Sequence, residues 1–387
     1  MIELDIERVS VVPDQSYDIA GVLIAGRGLF RRGTIQGSQT TYPTLHRLRT
    51  GQLVYRKLTA WEGPITVVSP EFAGAFVSSE FPTFSLDQTR VLPEFLRFVC
   101  QRTTFHDEMR LRSTGTAERR NRLKPSDLLD IEIELPPLAE QRRIAQAIAS
   151  VDQLIETYER ERRAAHALLN VARERAFESA ETCELRDVVL EIQAGKSPKA
   201  FDRPPSDGER GVLKVSSIRQ GEFRPTESKA VPDEAVFPSH AAVRRGDVLI
   251  SRANTTALVG ATCRVRGDHG SLYLSDKTLR LVVDEERADS DYVVNALASA
   301  MAREQIEAAA TGSSDSMKNI SQKAILRLEI PFVDFPVEQR AVVGRLETLR
   351  VAVEEAQTLM DAAERMRASL LESLIAGDRR LRETRVE

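Results

Sequence analysis

Between Leu135 and Ala180 an apolar residue recurs at alternating spacings of four and three, and the same series returns near the end of the chain. The first series is Ile144, Ile148, Val151, Ile155, Tyr158, Arg162, Ala165, Leu169, Ala172 and Ala176, with only Arg162 outside the apolar set. The second is Val342, Leu346, Leu349, Val353, Ala356, Met360, Ala363, Arg367, Leu370 and Leu374. A mean period of about 3.5 keeps one seam of a helix apolar, the pattern of a coiled coil rather than of a strand. Each series follows a proline-bearing stretch, LPPLAEQRR from Leu135 and FPVEQRAVV from Phe335, and 198 positions separate Gln141 from Gln339. Pro136 and Pro137 cannot donate to a β-ladder, and good helix formers follow them, which predicts a helix start near Leu138. Each helix runs for about 40 residues, or about 60 Å. Alone, either would leave its seam wet, so the two are predicted to pack on each other.

The segments before each helix repeat as well. From Ala75 to Ile133 and from Leu272 to Ile330 the two halves align without a gap, Thr114-Gly115 matching Thr311-Gly312 and Leu123 matching Ile320. Upstream, Gly51 aligns with Gly246 and Gly21 with Gly211, the offset drifting through polar loops, where insertions are tolerated. Short apolar runs punctuated by Gly and Pro predict β-rich domains: a buried strand over Gly21–Ala25, a polar loop GRGLFRRGT, strands over 53–56 and 65–68, and a helix over 93–102. The expected fold class is α+β. Two homologous β-rich domains, 1–134 and 183–330, each precede a long helix, 135–182 and 331–387, and the helices form an antiparallel coiled coil with an approximate internal twofold.

With 42% hydrophobic residues in 387, the chain has enough apolar material for packed cores rather than disorder. No apolar run approaches the roughly 20 residues of a membrane span, and the amino terminus MIELDIERV lacks the basic and apolar regions of a secretory signal. A cytoplasmic protein with no membrane partner is expected. Cys100, Cys183 and Cys263 are odd in number and far apart, which indicates neither a disulfide framework nor a zinc site. His46, His106, His166, His240 and His269 are isolated too. The net charge of −4 weighs against a uniformly basic nucleic-acid binder, so the distribution of charge has to decide.

Three stretches, LPPLAEQRRIAQAIASVDQLIE, its copy VEQRAVVGRLETLRVAVEEA, and RRGDVLISRANTTALVG, give the chain a resemblance to the specificity subunits of type I restriction-modification enzymes. The resemblance covers essentially the whole chain in family order. It implies that each β-rich domain reads one half of a bipartite double-stranded DNA target and that the helices fix the spacing. It further implies docking to two methyltransferase subunits, with a restriction and translocase subunit joining for cleavage. No cofactor is then expected on this chain; S-adenosylmethionine, ATP and Mg would sit on partner subunits. Two departures stand out: only 17 residues separate Leu4 from Gly21, against 26 from Leu185 to Gly211, and the second helix opens with PFVDFPVEQR instead of a compact PPL stretch.

The segment RLRSTGTAERRNRLK holds Arg110, Arg112, Arg119, Arg120, Arg122 and Lys124 against one acid, Glu118. The planar fork of arginine clamps a phosphate or the O6 and N7 of guanine. The matching segment TGSSDSMKNIS offers Ser313, Ser314, Ser316, Lys318 and Asn319, whose hydroxyls and amides also bond phosphates and base edges. A second pair of candidates follows the aligned glycines, Tyr55, Arg56 and Lys57 in one copy and Ser251, Arg252 and Asn254 in the other. Arg27, Arg31 and Arg32 in the Gly-rich loop form a third group. The bland alternative for each is a solvated loop or strand end.

Catalytic signatures are missing. Gly195-Lys196-Ser197 lacks the first glycine of a phosphate-binding loop, Leu190 standing in its place. Glu227-Ser228-Lys229 has the form of a nuclease triplet without a second acid fixed by any motif. Nothing has the pattern of an amino-methyltransferase, so methyl transfer is expected of a partner. A coiled-coil protein adaptor, binding peptide or protein instead of DNA, is the competing reading.

Overall fold

The computed structural model describes residues 1–115, 121–314 and 317–375, which form two compact units. Unit 1 comprises Met1–Thr157 and Leu359–Glu387, and unit 2 comprises Tyr158–Thr358. Eight α-helices occur among the described residues: α1 Pro93–Val99, α2 Thr103–Arg112, α3 Pro125–Leu129, α4 Leu138–Phe177, α5 Ser290–Ala296, α6 Ala300–Ala309, α7 Gln322–Ile325 and α8 Pro336–Ile375. α4 and α8 each run for 40 residues, and each gives one part of its length to unit 1 and the other to unit 2.

In unit 1 a four-stranded sheet places Ile2–Leu4, Thr83–Leu86, Leu53–Tyr55 and Ile65–Val67 side by side, every pairing antiparallel. A five-stranded sheet of Glu7–Ser10, Thr44–Arg47, Phe76–Val77, Ser16–Val22 and Leu29–Gln36 accompanies it. The largest core of the unit joins the first sheet, through Leu53, Tyr55 and Phe84, to Phe95, Leu96, Phe98 and Val99 of α1. Ile144 and Ile148 of α4 and Leu371 of α8 belong to the same cluster. Asp152 of α4 pairs with Arg367 of α8, and Arg367 also donates to Oε1 of Gln101 at 2.7 Å. A charged residue at a seam position is thereby satisfied, as a half-buried charge must be.

Unit 2 repeats the first sheet with Val189–Ala194, Thr278–Val283, Val248–Ser251 and Thr262–Arg264 in the same order of neighbours. Its main core gathers Tyr292, Val293 and Ala296 of α5, Leu169 and Phe177 of α4, and Val342 and Leu346 of α8. α5 and α6 start at Asp289 and Ser299, whose side chains accept from backbone N–H groups of the first turn, the usual satisfaction of orphan donors. A three-stranded sheet adds Ala253–Asn254, Met317–Asn319 and Thr311–Ser314.

Among the seam positions, Ile144, Ile148, Val151, Leu169, Val342 and Leu346 are buried, and Ile155, Tyr158, Leu349, Val353, Met360 and Leu370 are half-buried. The side chain of Leu374 lies outside the described residues.

Three expected elements change. The strand expected over Gly21–Ala25 ends at Val22, because Ala25 and Gly26 take positive φ and their N–H groups bond the carbonyls of Glu62 and Gly63 at 2.8 Å. Of the stretch expected as a polar loop, residues 26–28 lie outside any strand, and from Leu29 on it belongs to the strand Leu29–Gln36, paired antiparallel with Ser16–Val22. Arg110 and Arg112, read as part of a loop, close α2, whose buried Met109 and half-buried Phe105 stand four apart on its inner face.

Candidate nucleic-acid interface

In unit 1 the short turn Ala60–Glu62 gathers candidates that lie far apart in sequence. Thr59 enters it in the left-handed region at φ 54°, and Gly63 leaves it at φ 67°. A side chain at Gly63 would meet the His106 ring at 2.5 Å, so α2 sits directly against the turn. The loop holding Arg27 is also fastened to this turn, through Ala25 and Gly26 to Glu62 and Gly63. Arg110 places its guanidinium 4.9 Å from the centre of the Trp61 ring, a cation–π contact. The Thr59 N–H bonds the Asn121 carbonyl at 2.9 Å, and the Leu123 N–H bonds the Lys57 carbonyl at 3.1 Å. The Arg122 guanidinium pairs with Glu80 at 3.1 Å and keeps a side-chain exposure of 54%, so it can still meet a ligand. Arg110, Arg122 and Lys124 are exposed.

Several candidates are held by partners within the unit, although Arg31 keeps a side-chain exposure of 52%. Tyr55 has 0% exposure, and its hydroxyl donates to the Leu123 carbonyl at 2.8 Å. Burial pushes its pKa up, and it ties the strand to the basic segment instead of meeting a ligand. Arg56 donates to the Leu58 carbonyl at 2.9 Å, the Thr59 hydroxyl at 2.5 Å and Glu62 at 2.6 Å, so its fork braces the turn from within. Arg112 pairs with Glu108 one helical turn back. Arg31 pairs with Asp18 across the hairpin and donates to the Glu71 carbonyl at 2.5 Å. Arg32 is an exposed strand residue beside it. Arg119 and Arg120 lie outside the described residues.

Unit 2 joins its candidates through the same backbone pairing. The Ile320 N–H bonds the Arg252 carbonyl at 2.9 Å, as Leu123 bonds Lys57 in unit 1. Ala253 pairs with Asn319, and Asn254 with Lys318, so the two candidate groups of this unit form one small sheet. Arg252 and Asn319 are exposed, and the Lys318 ammonium donates to the Gly312 carbonyl at 3.2 Å. Asn254 accepts from the Thr255 N–H at 2.9 Å, starting the turn that runs to Gly260. From behind, Arg303 of α6 donates to the carbonyls of Val259 at 2.8 Å and Ala257 at 3.3 Å, fixing that turn. Ser313 and Ser314 belong to the strand Thr311–Ser314, their side chains outside the described residues, as is Ser316. Sequence reasoning passed over Trp61 and Arg303. The signal for Trp61 was available, since the chain holds one tryptophan and it stands two residues before Gly63-Pro64.

The segments weighed as catalytic make structural contacts. Glu227 accepts from the Ser216 hydroxyl at 2.7 Å and pairs with Lys214 at 3.4 Å, and the Ser216 bond above all holds its carboxyl below the usual range. Lys229 of the same triplet pairs with Asp202 at 2.8 Å. Among the described residues no three His, Cys, Asp or Glu side chains are grouped to hold a metal, and no helix is long and apolar enough to cross a membrane.

The arrangement is that of a mixed helix and sheet protein carrying long helices, and it has the fold of the S subunit of the type I restriction-modification system from M. genitalium. That solved structure matches at TM-score 0.50 and 13% identity over 96% of each chain. The HsdS subunit from Thermoanaerobacter tengcongensis matches at TM-score 0.43 and 18% identity, covering 97% of this chain and 95% of that one. In sequence the chain is 25% identical over 195 residues to the specificity subunit of the type I restriction enzyme EcoEI from Escherichia coli. The match covers 50% of this chain and 33% of that subunit, about a third of its length. No family model matches. In sequence over half its length, the chain is therefore similar to a type I specificity subunit.

Proposed function

We propose that this chain is a non-catalytic DNA sequence-specificity subunit of a type I restriction-modification complex. The observation that carries the reading is the shared pairing in the two units. In each, a residue one or two positions past an inner strand of the four-stranded sheet, Lys57 after Leu53–Tyr55 or Arg252 after Val248–Ser251, accepts from the segment holding the candidate cations and amides, Leu123 or Ile320. Two tandem domains, 1–134 and 183–330, then present equivalent surfaces, each to one half of a bipartite duplex target. Phosphate contacts by exposed Arg and Lys supply affinity, and contacts to base edges supply discrimination. The helices of 135–182 and 331–387, paired antiparallel along their seams, fix the gap between the half-sites and dock two methyltransferase subunits. A restriction and translocase subunit completes the complex for cleavage. S-adenosylmethionine, ATP and Mg belong to those partners, whose chains carry the catalysis.

The test is electrophoretic mobility of random-sequence duplex DNA with the full chain bound to its methyltransferase partners. Retardation that weakens steeply with salt supports DNA binding. A complex that assembles yet leaves DNA mobility unchanged at low salt supports the adaptor reading instead.

A further inference from the structure

The glutamine of each EQR stretch makes the same three hydrogen bonds. Gln141 is fully buried; its Nε2 donates to the carbonyls of Arg90 and Pro136, both at 2.8 Å, and its Oε1 accepts from the Leu92 N–H at 2.8 Å. Gln339, also fully buried, donates to the carbonyls of Arg287 at 3.1 Å and Val333 at 2.7 Å and accepts from the Asp289 N–H at 2.7 Å. Two carbonyl acceptors facing one side-chain atom identify that atom as the nitrogen and fix the orientation of the amide. Leu92 and Asp289 are the residues immediately before α1 and α5. Each clamp thus binds the first turn of a long helix both to the chain leading into that helix and to the segment that links a central strand to the next helix of its unit.

The chemistry leaves little latitude. Glutamate would turn a second acceptor toward the two carbonyls, while lysine or arginine would leave the Leu92 or Asp289 N–H without an acceptor. A long helix can swing against a domain if only apolar surface joins them. A fully satisfied buried amide with three partners on two segments admits one angle.

We infer that Gln141 and Gln339 are positioning residues that fix the angle at which each recognition domain leaves its long helix, and so set the gap between the half-sites. This rests on the proposed DNA-specificity role. Q141M and Q339M remove the hydrogen bonds at similar length and apolar packing. Each is assembled as full chain with its methyltransferase partners and used to select from duplexes holding two randomised blocks, with every gap up to about one helical turn, or ~10 base pairs.

The wild type should select one gap. Either variant should select at least two neighbouring gaps with the bases inside both blocks unchanged, and hydrogen exchange at Leu92 or Asp289 should rise. Retention of the single wild-type gap, with affinity falling in parallel for all duplexes, would overturn the inference and leave the amides a stabilising role only. If the Met variants do not fold, Q141N and Q339N, which keep a neutral amide one methylene short of its three partners, take their place under the same criteria. A wild type that selects no paired blocks would instead defeat the functional reading, and the inference with it.

Discussion

Replacing Arg110 by alanine separates a ligand-facing cation from a structural one. Arg110 closes α2, is exposed, and has its guanidinium 4.9 Å from the centre of the Trp61 ring. Loss of an exposed cation–π contact costs about 0.5–1 kcal/mol, too little to unfold a unit. If Arg110 neutralises one phosphate, the slope of log affinity against log salt should flatten by ~0.9. Between about 50 and about 200 mM salt, a fourfold change, the wild type should lose roughly 3.5-fold more affinity than the variant. The assay is fluorescence anisotropy of a labelled duplex titrated with the assembled complex at several salt concentrations. Arg97, exposed on α1 with its guanidinium 5.0 Å from the Phe98 ring, supplies a matched control that should keep the wild-type slope. Parallel slopes for the Arg110→Ala variant and the wild type would refute the phosphate contact.

Trp61, the one tryptophan of the chain, lies in unit 1, and its emission therefore follows the unfolding of that unit in three further experiments. Tyr55→Phe strands the buried Leu123 carbonyl and should cost about 1–3 kcal/mol in urea denaturation, with the salt slope for DNA unchanged. Ile148→Ala, at a seam position of 0% exposure, should cost about 2–5 kcal/mol; an effect below about 1 kcal/mol would mean that the seam is not close-packed there. His46 is buried beside the Phe81 carbonyl, and burial lowers its pKa from 6.5. Below 6.5 the unfolded chain binds a proton that folded His46 does not, so stability should fall as pH drops from 6.5 towards the lowered value. His46→Leu should show a shallower fall over that window, and equal steepness would assign the pH dependence to other groups.

The long helices were legible because a period of about 3.5 with nine of ten seam positions apolar fits a helix and not a strand, and helix starts at Leu138 and Pro336 follow from the prolines. The internal repeat made the paired candidate segments visible as well. Less legible was the direction of each side chain. Tyr55 reads as an aromatic beside two cations at a strand end, yet the strand Leu53–Tyr55 is buried at every residue, so alternation gave no sign of which way the ring points. From Thr103 to Arg112 the polar and charged neighbours of Phe105 and Met109 hid their helical phase, and α2 was missed. Arg31 and Arg32 read as loop because Gly33 looks like a turn residue, whereas its φ of 105° sits at the irregularity between Ile19 and Ala20 within a continuous hairpin. Arg56 and Arg303 show a further limit: whether an arginine faces outward or braces a turn depends on carbonyls supplied by non-adjacent residues.

The DNA-specificity role is tested most directly by sequencing the methylated bases of host DNA with and without this gene, its methyltransferase partner left in place. Loss of the gene should erase methylation at one motif, made of two short specified blocks separated by a fixed gap of unspecified bases, and leave other methylated sites untouched. Unchanged methylation at every motif, in a host whose partner methyltransferase is expressed and active, would contradict it.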